Sequence, residues 1–265
     1  MGFKEDVMRS KELRAATRAA LEAGMVLMEY YGKVKADYKS DRSIVTEADI
    51  KSEERIKSIL ESEFPTYSML GEELGYVERD PNHSWVIDPL DGTTNYTMRT
   101  PFFSVSIGLM ERGEPILGVV HYPHEGEVFR AERGGGAYLN EERIRVSDER
   151  DIEKSMLTFC HGRDEESTKA MVNIFGRLKL INNKVRQIGA ASLELCYVAC
   201  GRTDAFMMPG LNPWDVAAGA LIVEEAGGRV SDFGGEPFHM NSRSLLASNG
   251  GLHDHLLELI KFSPG

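Results

Sequence analysis

Apolar and polar positions change their spacing twice along the chain. From about residue 7 to 31 the apolar residues recur at helical intervals. Ala15, Ala19, Leu21, Ala23, Met25, Leu27 and Met28 make one broad face, and Gly32 is a natural stop. A second helix is predicted over about 47–63, with Ile50, Ile56, Ile59 and Leu60 apolar and Pro65 just beyond its end. The spacing then shortens. Trp85, Val86 and Ile87 read as a short apolar strand. Residues 102–110 alternate Val105, Ile107 and Leu109 with Ser104, Ser106 and Gly108, the period of two of a pleated sheet. Strands at 116–122 and 127–131 follow, with Glu125-Gly126 between them. The pattern predicts an antiparallel meander that closes at a tight turn, Gly134-Gly135-Gly136.

From about residue 152 short apolar runs alternate with helical ones. Strands are predicted at 156–160, 185–188, 205–208 and 245–248, and helices at 167–180, 190–201, 214–226 and 252–262. Residues 1–150 thus read as helices plus an antiparallel sheet, and 151–265 as an α/β half. No linker, low-complexity stretch or internal repeat separates them, so the halves are expected to pack on one interface and complete one site.

Composition narrows the function classes. The 265 residues contain 31 Lys and Arg against 42 Asp and Glu, a formal charge of −11. Nucleic-acid binders carry a basic footprint, so no nucleic-acid partner is expected. The first twenty residues are charged, without an apolar signal core, and no run is long enough to span a membrane. Cys160, Cys196 and Cys200 show no metal-binding spacing and read as buried thiols of a reducing cytoplasm. An acidic chain is not an obvious host for an anionic ligand.

Candidate chemistry concentrates in Trp85-Val-Ile-Asp-Pro-Leu-Asp-Gly-Thr-Thr-Asn-Tyr96. An apolar strand ends in Asp88, and Pro89, which has no amide hydrogen, is expected to stop the sheet. In a turn, Asp88, Asp91 and the Leu90 carbonyl can aim at one point, the oxygen set that a hard cation such as Mg²⁺ takes. Gly92 lets the backbone approach a ligand, and Thr93 and Thr94 offer hydroxyls and amides to a phosphate. A polar turn explains the same residues equally well. Three other clusters have plain readings on their own. Glu72-Glu73 suits a solvated face, Asp215 a helix first turn, and Thr46, Glu47 and Asp49 a helix cap.

Taken together and in this order, WVIDPLDGTTNY, NPWDVAAGALIVEEAGG, GEE and VTEAD resemble the inositol monophosphatase family of metal-dependent, lithium-sensitive sugar phosphatases over nearly the whole chain. The resemblance implies a layered α/β/α/β/α sandwich and a homodimer. It implies two or three Mg²⁺ ions held by Glu72, Asp88, the Leu90 carbonyl, Asp91 and Asp215. Asp49 and Thr93 would orient and activate the attacking water, with Glu72 assisting through a third ion. The amides of Gly92 and Thr93 would hold phosphate, and Arg186, Gly189 and Ala191 would line the alcohol side. The substrate would be a small phosphorylated polyol or sugar of the inositol-1-phosphate type, hydrolysed by direct in-line attack.

The pattern departs from the family at two places. Met208 stands where inositol-selecting relatives carry an acid, and a thioether cannot accept the same hydrogen bonds. Lys39 lies in a loop resembling one that closes over the metals. Fructose-1,6-bisphosphatase, histidinol-phosphatase and adenosine bisphosphate 3′-phosphatase activities are the alternatives, as is a non-catalytic antitermination-type regulator. Cys160-His161 has no orienting acid at recognisable spacing, and His253-Asp-His255 reads as an exposed helix start. Glu224 and Glu225 read as surface or interface positions on an amphipathic helix.

Overall fold

The computed structural model describes residues 10–38 and 44–261. Lys39 and the expected helix start at residue 7 lie outside the described residues. The first helix, α1 (Lys11–Tyr30), begins where Ser10 Oγ accepts the Leu13 amide at 3.0 Å. A small ribbon of β1 (Asp37–Tyr38) and β2 (Ile44–Val45) leads into α2 (Glu47–Glu63).

A sheet of eight strands follows: β3 (Tyr67–Gly71), β4 (Gly75–Val77), β5 (Asp80–Asp91), β6 (Ser104–Glu111), β7 (Glu114–Tyr122), β8 (Glu127–Glu132), β9 (Gly136–Leu139) and β10 (Glu142–Arg143). The one-turn helix α3 (Thr93–Thr97) interrupts it after β5. The strand order is β10-β9-β8-β7-β6-β5-β3-β4, antiparallel except between β3 and β5. The remaining chain gives β11 (Leu157–Phe159), α4 (Glu165–Ile181), β12 (Val185–Arg186), α5 (Ala191–Ala199), β13 (Ala205–Pro209), α6 (Pro213–Glu225), β14 (Arg229–Ser231), β15 (Ser244–Ser248) and α7 (His253–Lys261). Its five strands order as β12-β11-β13-β15-β14, parallel through the first three.

These elements stack as the expected α/β/α/β/α sandwich. Leu13, Leu27, Ile56 and Leu60 of α1 and α2 pack with Trp85, Ile107 and Val119 on the outer face of the large sheet. Leu193 and Leu195 of α5 and Leu221 of α6 pack with Val120 and Phe129 on its inner face and with Phe206 and Leu245 of the small sheet. Met171 and Leu178 of α4 and Leu256 of α7 cover the far side. The middle layer explains why α6 is apolar all round rather than amphipathic as expected: every residue from Val216 to Val223 is buried. At Gly118 in β7, a Cβ would meet the Ala218 carbonyl oxygen at 2.5 Å, so α6 rests directly on the strand backbone.

Three further expectations need correction. The strand predicted at 85–87 runs from Asp80 to Asp91, and Pro89 does not end it. Asp88 pairs with Ser106 and Asp91 with Ser104, so Pro89 and Leu90 together face Val105 in a bulge, where a missing donor costs no ladder bond. His253 is buried, not exposed. Its ring nitrogens lie 2.9 Å from Ser231 Oγ and 2.9 Å from Ser248 Oγ, and burial lowers its pKa to about 4. The triple-glycine turn does more than reverse the chain: the amides of Gly134 and Gly136 donate to the Glu225 carboxylate at 2.7 and 2.8 Å. Glu225 therefore anchors that turn to the end of α6. Among the described residues no helix is long and apolar enough to cross a membrane. The three cysteines are free, and Cys160 and Cys196 are buried.

Because Leu221 is packed between both sheets, Leu221→Ala should leave a cavity that neither can close. We expect a loss of about 3 kcal/mol in urea unfolding. A loss below about 1 kcal/mol would mean that the middle layer is looser than described.

Candidate active site

A cavity of about 640 Å³ opens where the end of β5, α3 and the starts of α5 and α6 meet, and Glu72, Asp88, Leu90, Asp91, Gly92, Thr93 and Asp215 line it together. Residues far apart in the chain thus reach one place, each carboxylate on a different local support. Glu72 follows β3, with its amide donating to the Ile87 carbonyl at 3.3 Å. Asp88 is 2% exposed, and its Oδ1 accepts the Leu90 amide at 3.0 Å across the bulge. Asp91 is gripped hardest. It accepts the Ala191 amide at 3.0 Å, the Ser192 amide at 2.8 Å, the Ser192 hydroxyl at 2.6 Å and the Ser104 hydroxyl at 3.2 Å. The amides come from the first turn of α5, where free backbone donors favour an anion.

Asp215 and Asp49 occupy equivalent places on α6 and α2. Asp215 Oδ2 accepts the Asn212 amide at 2.7 Å in a capping box. Asp49 Oδ2 accepts the Thr46 amide at 2.8 Å and the Thr46 hydroxyl at 2.6 Å. The plain readings, a cap at Asp49 and a first-turn acid at Asp215, are therefore correct, yet the backbone contact uses one carboxylate oxygen of each. Asp49 Oδ1 lies 3.4 Å from the Thr93 hydroxyl, which also reaches the Leu90 carbonyl at 3.1 Å. Asp49 stands behind Thr93 rather than in the cavity wall. The Ser52 hydroxyl donates to the Pro89 carbonyl at 2.7 Å and ties α2 to the bulge.

Gly92 has φ +88°, and a Cβ there would meet the Phe102 carbonyl oxygen at 2.7 Å. A side chain at this position would push the turn out of the cavity wall.

The electrostatic cost of this arrangement is high. Burial raises the Asp215 carboxyl to about 7 and that of Asp49 to about 6. Asp88 is raised well above the ordinary carboxylate range, by burial first and then by the charges of Glu72, Asp91 and Asp215. Asp91 is raised by burial, against the pull of its donors. Among the described residues no three acids, thiols or imidazoles stand together at coordinating distance. The donor set itself fits a hard divalent cation: oxygens only, buried at Asp88 and Asp91 and half-buried at Glu72 and Asp215, and of one sign.

On the alcohol side Gly189 and Ala191 line the cavity, but Arg186 does not. Its Nη1 donates to the carbonyls of Asn183 and Val185, both at 3.0 Å, and Gln187 takes the place in the wall. Sequence reasoning also missed Glu194. It is buried, and Oε1 accepts the Gly189 amide at 2.9 Å and the Cys160 thiol at 3.1 Å. Burial raises Glu194 to about 7. Its signal was a lone acid among the apolar residues of a predicted helix. Glu194 also settles the position of Cys160: burial and this carboxylate hold the thiol well above its ordinary pKa, so it is not an activated nucleophile.

The model of the inositol monophosphatase family matches residues 8–264. A protein of Aquifex aeolicus named fructose-1,6-bisphosphatase/inositol-1-monophosphatase is 38% identical over 255 residues, covering 95% of this chain and 96% of its own. A Nus factor SuhB of Pasteurella multocida is 39% identical over 259 residues, covering 94% and 95%. The crystal structure of the extragenic suppressor protein suhB from Bartonella henselae superposes with a TM-score of 0.91 at 34% identity, covering 96% of this chain and 100% of that one.

With Asp215 near 7 and Asp88 above its usual range, the folded protein binds more protons than the unfolded chain around neutrality. Stability without metal should therefore fall as pH rises through that window, the reverse of an ion-paired carboxylate. In EDTA we expect a lower Tm at about pH 8 than at about pH 6.5, and a divalent cation should raise Tm more at the higher pH. A metal-free Tm that increases over this interval would contradict the assigned burial.

Proposed function

The chain belongs to the inositol monophosphatase family, metal-dependent phosphatases of phosphorylated sugars and polyols, and on that premise we propose that it hydrolyses small polyol and sugar monophosphates of the inositol-1-phosphate type with Mg²⁺. The observation that carries this reading is the meeting of Glu72, Asp88, Asp91 and Asp215 in one cavity beside the Gly92–Thr93 turn.

Glu72, Asp88, the Leu90 carbonyl, Asp91 and Asp215 would hold the Mg²⁺ ions. Bound Mg²⁺ neutralises phosphate charge, favours deprotonation of water and stabilises the leaving oxygen. The chain's own residues do the rest. The amides of Gly92 and Thr93, at the start of α3, point donors at phosphate oxygens. The Thr93 hydroxyl holds a water, and Asp49 Oδ1, 3.4 Å behind it, receives the proton that Thr93 passes on. At about 6, Asp49 is ionised at neutral pH yet close enough to take a proton. Asn95 Nδ2 donates to the carbonyls of Phe102 and Ile188 at 2.8 and 2.9 Å and clamps the phosphate turn to the alcohol wall. Most of the ligands come from residues 1–150, and 151–265 complete the site with Asp215. The reading includes a cytoplasmic homodimer, and the free cysteines support a reducing compartment.

The likeness to the Nus factor of Pasteurella multocida favours a second reading, a regulatory role independent of hydrolysis. Full cellular function of an Asp88→Asn protein would select it.

Asp88→Asn and Asp215→Asn should each lower Mg²⁺-dependent kcat/KM about a thousandfold with the fold retained. Thr93→Ala should lower kcat about a hundredfold with little change in KM. A panel of phosphate esters, with and without lithium, checks the substrate class. If wild type cleaves none of them, the phosphatase reading fails.

A further inference from the structure

Asp91 differs from its neighbour Asp88 in how many donors surround it. Among the described residues Asp88 accepts one, the Leu90 amide. The donors of Asp91 are more numerous and fall unequally on its two oxygens. Oδ1 accepts the Ala191 amide at 3.0 Å. Oδ2 accepts the Ser192 amide at 2.8 Å and the Ser192 hydroxyl at 2.6 Å, with the Ser104 hydroxyl 3.2 Å away. Ser104 opens β6 and Ser192 lies in the first turn of α5. Both are fully buried, and their hydroxyls are 2.9 Å apart. Asp91 and Ala191 line the cavity, but neither serine does.

Each hydroxyl has one proton to give. The short contact assigns that of Ser192 to Asp91. At the contact between the serines, Ser192 is then the acceptor and Ser104 the donor. Ser104 Oγ is also nearer to Ser192 Oγ than to Oδ2. A relay results, from Ser104 to Ser192 to Oδ2, and bonds in such a chain polarise and strengthen one another. A carboxylate oxygen has two lone pairs. On Oδ2 both are taken, by the amide and the hydroxyl of Ser192. Oδ1 keeps one. The amides of Ala191 and Ser192 alone would seat the carboxylate on α5, one on each oxygen. What the hydroxyls add is to fill the last place on Oδ2.

That addition bears on which cation the carboxylate suits. Ca²⁺ takes about six to eight oxygens in a flexible shell and accepts both oxygens of one carboxylate. Mg²⁺ demands a tight octahedron with several waters, which a carboxylate offering one oxygen fits better. We propose that Ser104 and Ser192 are positioning residues that confine Asp91 to a single ligating oxygen, Oδ1, and thereby bias the site toward Mg²⁺ and against Ca²⁺. The proposal rests on the metal-dependent reading above and concerns which cation that site selects.

The test is calorimetric titration of Mg²⁺ and of Ca²⁺ into metal-free protein, for wild type, Ser104→Ala, Ser192→Ala and the double variant. Outer partners of metal ligands typically carry about ten- to a hundredfold in affinity. The double variant should bind Mg²⁺ about tenfold more weakly, while Ca²⁺ affinity is kept or rises, so the affinity ratio moves about tenfold toward Ca²⁺. Ser104→Ala keeps the Ser192 hydroxyl on Oδ2 and should move the ratio the same way by less. A ratio that the double variant leaves unchanged, even with both affinities reduced, would overturn the proposal, because a loosened carboxylate alone would weaken both cations together. If Ser192→Ala does not fold, Ser104→Ala decides by the same ratio, and its failure to move it would overturn the relay. Absence of saturable binding of either cation to wild type would instead overturn the metal-dependent reading.

Discussion

Like-charged carboxylates kept out of water are the constraint on which this structure turns. Asp49, Asp88, Asp91 and Asp215 are buried or nearly so around one cavity, and burial raises the proton affinity of each. No single element could hold them, and the fold divides them among several supports. A bulge holds Asp88, the first turn of α5 holds Asp91, and capping boxes hold Asp49 and Asp215. Each device uses backbone amides that a helix end or an irregular strand leaves without partners. Local stability and chemistry thus draw on the same groups, with one oxygen of Asp49 or Asp215 serving the helix and the other left for the site.

The layers follow from that requirement. Asp215 must arrive from the middle of the molecule, and α6 delivers it by running apolar between the two sheets. Asp91 must meet α5, so the end of β5 and the start of that helix share one wall. Glu194 and Asn95 then lock the loop at 187–190 to the turn at Gly92. Packing in the middle layer and geometry in the cavity are consequently the same problem, which is why a buried leucine in α6 and a cavity carboxylate lie on one helix.

Much of this was legible in the chain because its signals are local. The period of two from Ser104 to Leu109 marks β6, and the Asp-Pro-Leu-Asp-Gly-Thr spacing marks the bulge and turn. Thr46-x-x-Asp49 shows a cap. What stayed hidden depends on distant partners. Pro89 looked like a strand end because only pairing with β6 reveals a bulge. His253 looked exposed because Ser231 and Ser248, which enclose it, arrive from other strands. Arg186 carries the charge expected of an alcohol contact, yet its guanidinium turns back to local carbonyls while Gln187 faces the cavity.

Proton-linked metal binding tests the central claim most directly. If the buried carboxylates are partly protonated near neutrality, a divalent cation must displace those protons to bind. Calorimetric titration of Mg²⁺ into metal-free protein near pH 7, in buffers of different ionisation enthalpy, measures both events at once. The account predicts saturable binding with proton release, both much reduced in Asp88→Asn. Saturable binding without proton release, or binding that Asp88→Asn leaves intact, would contradict it.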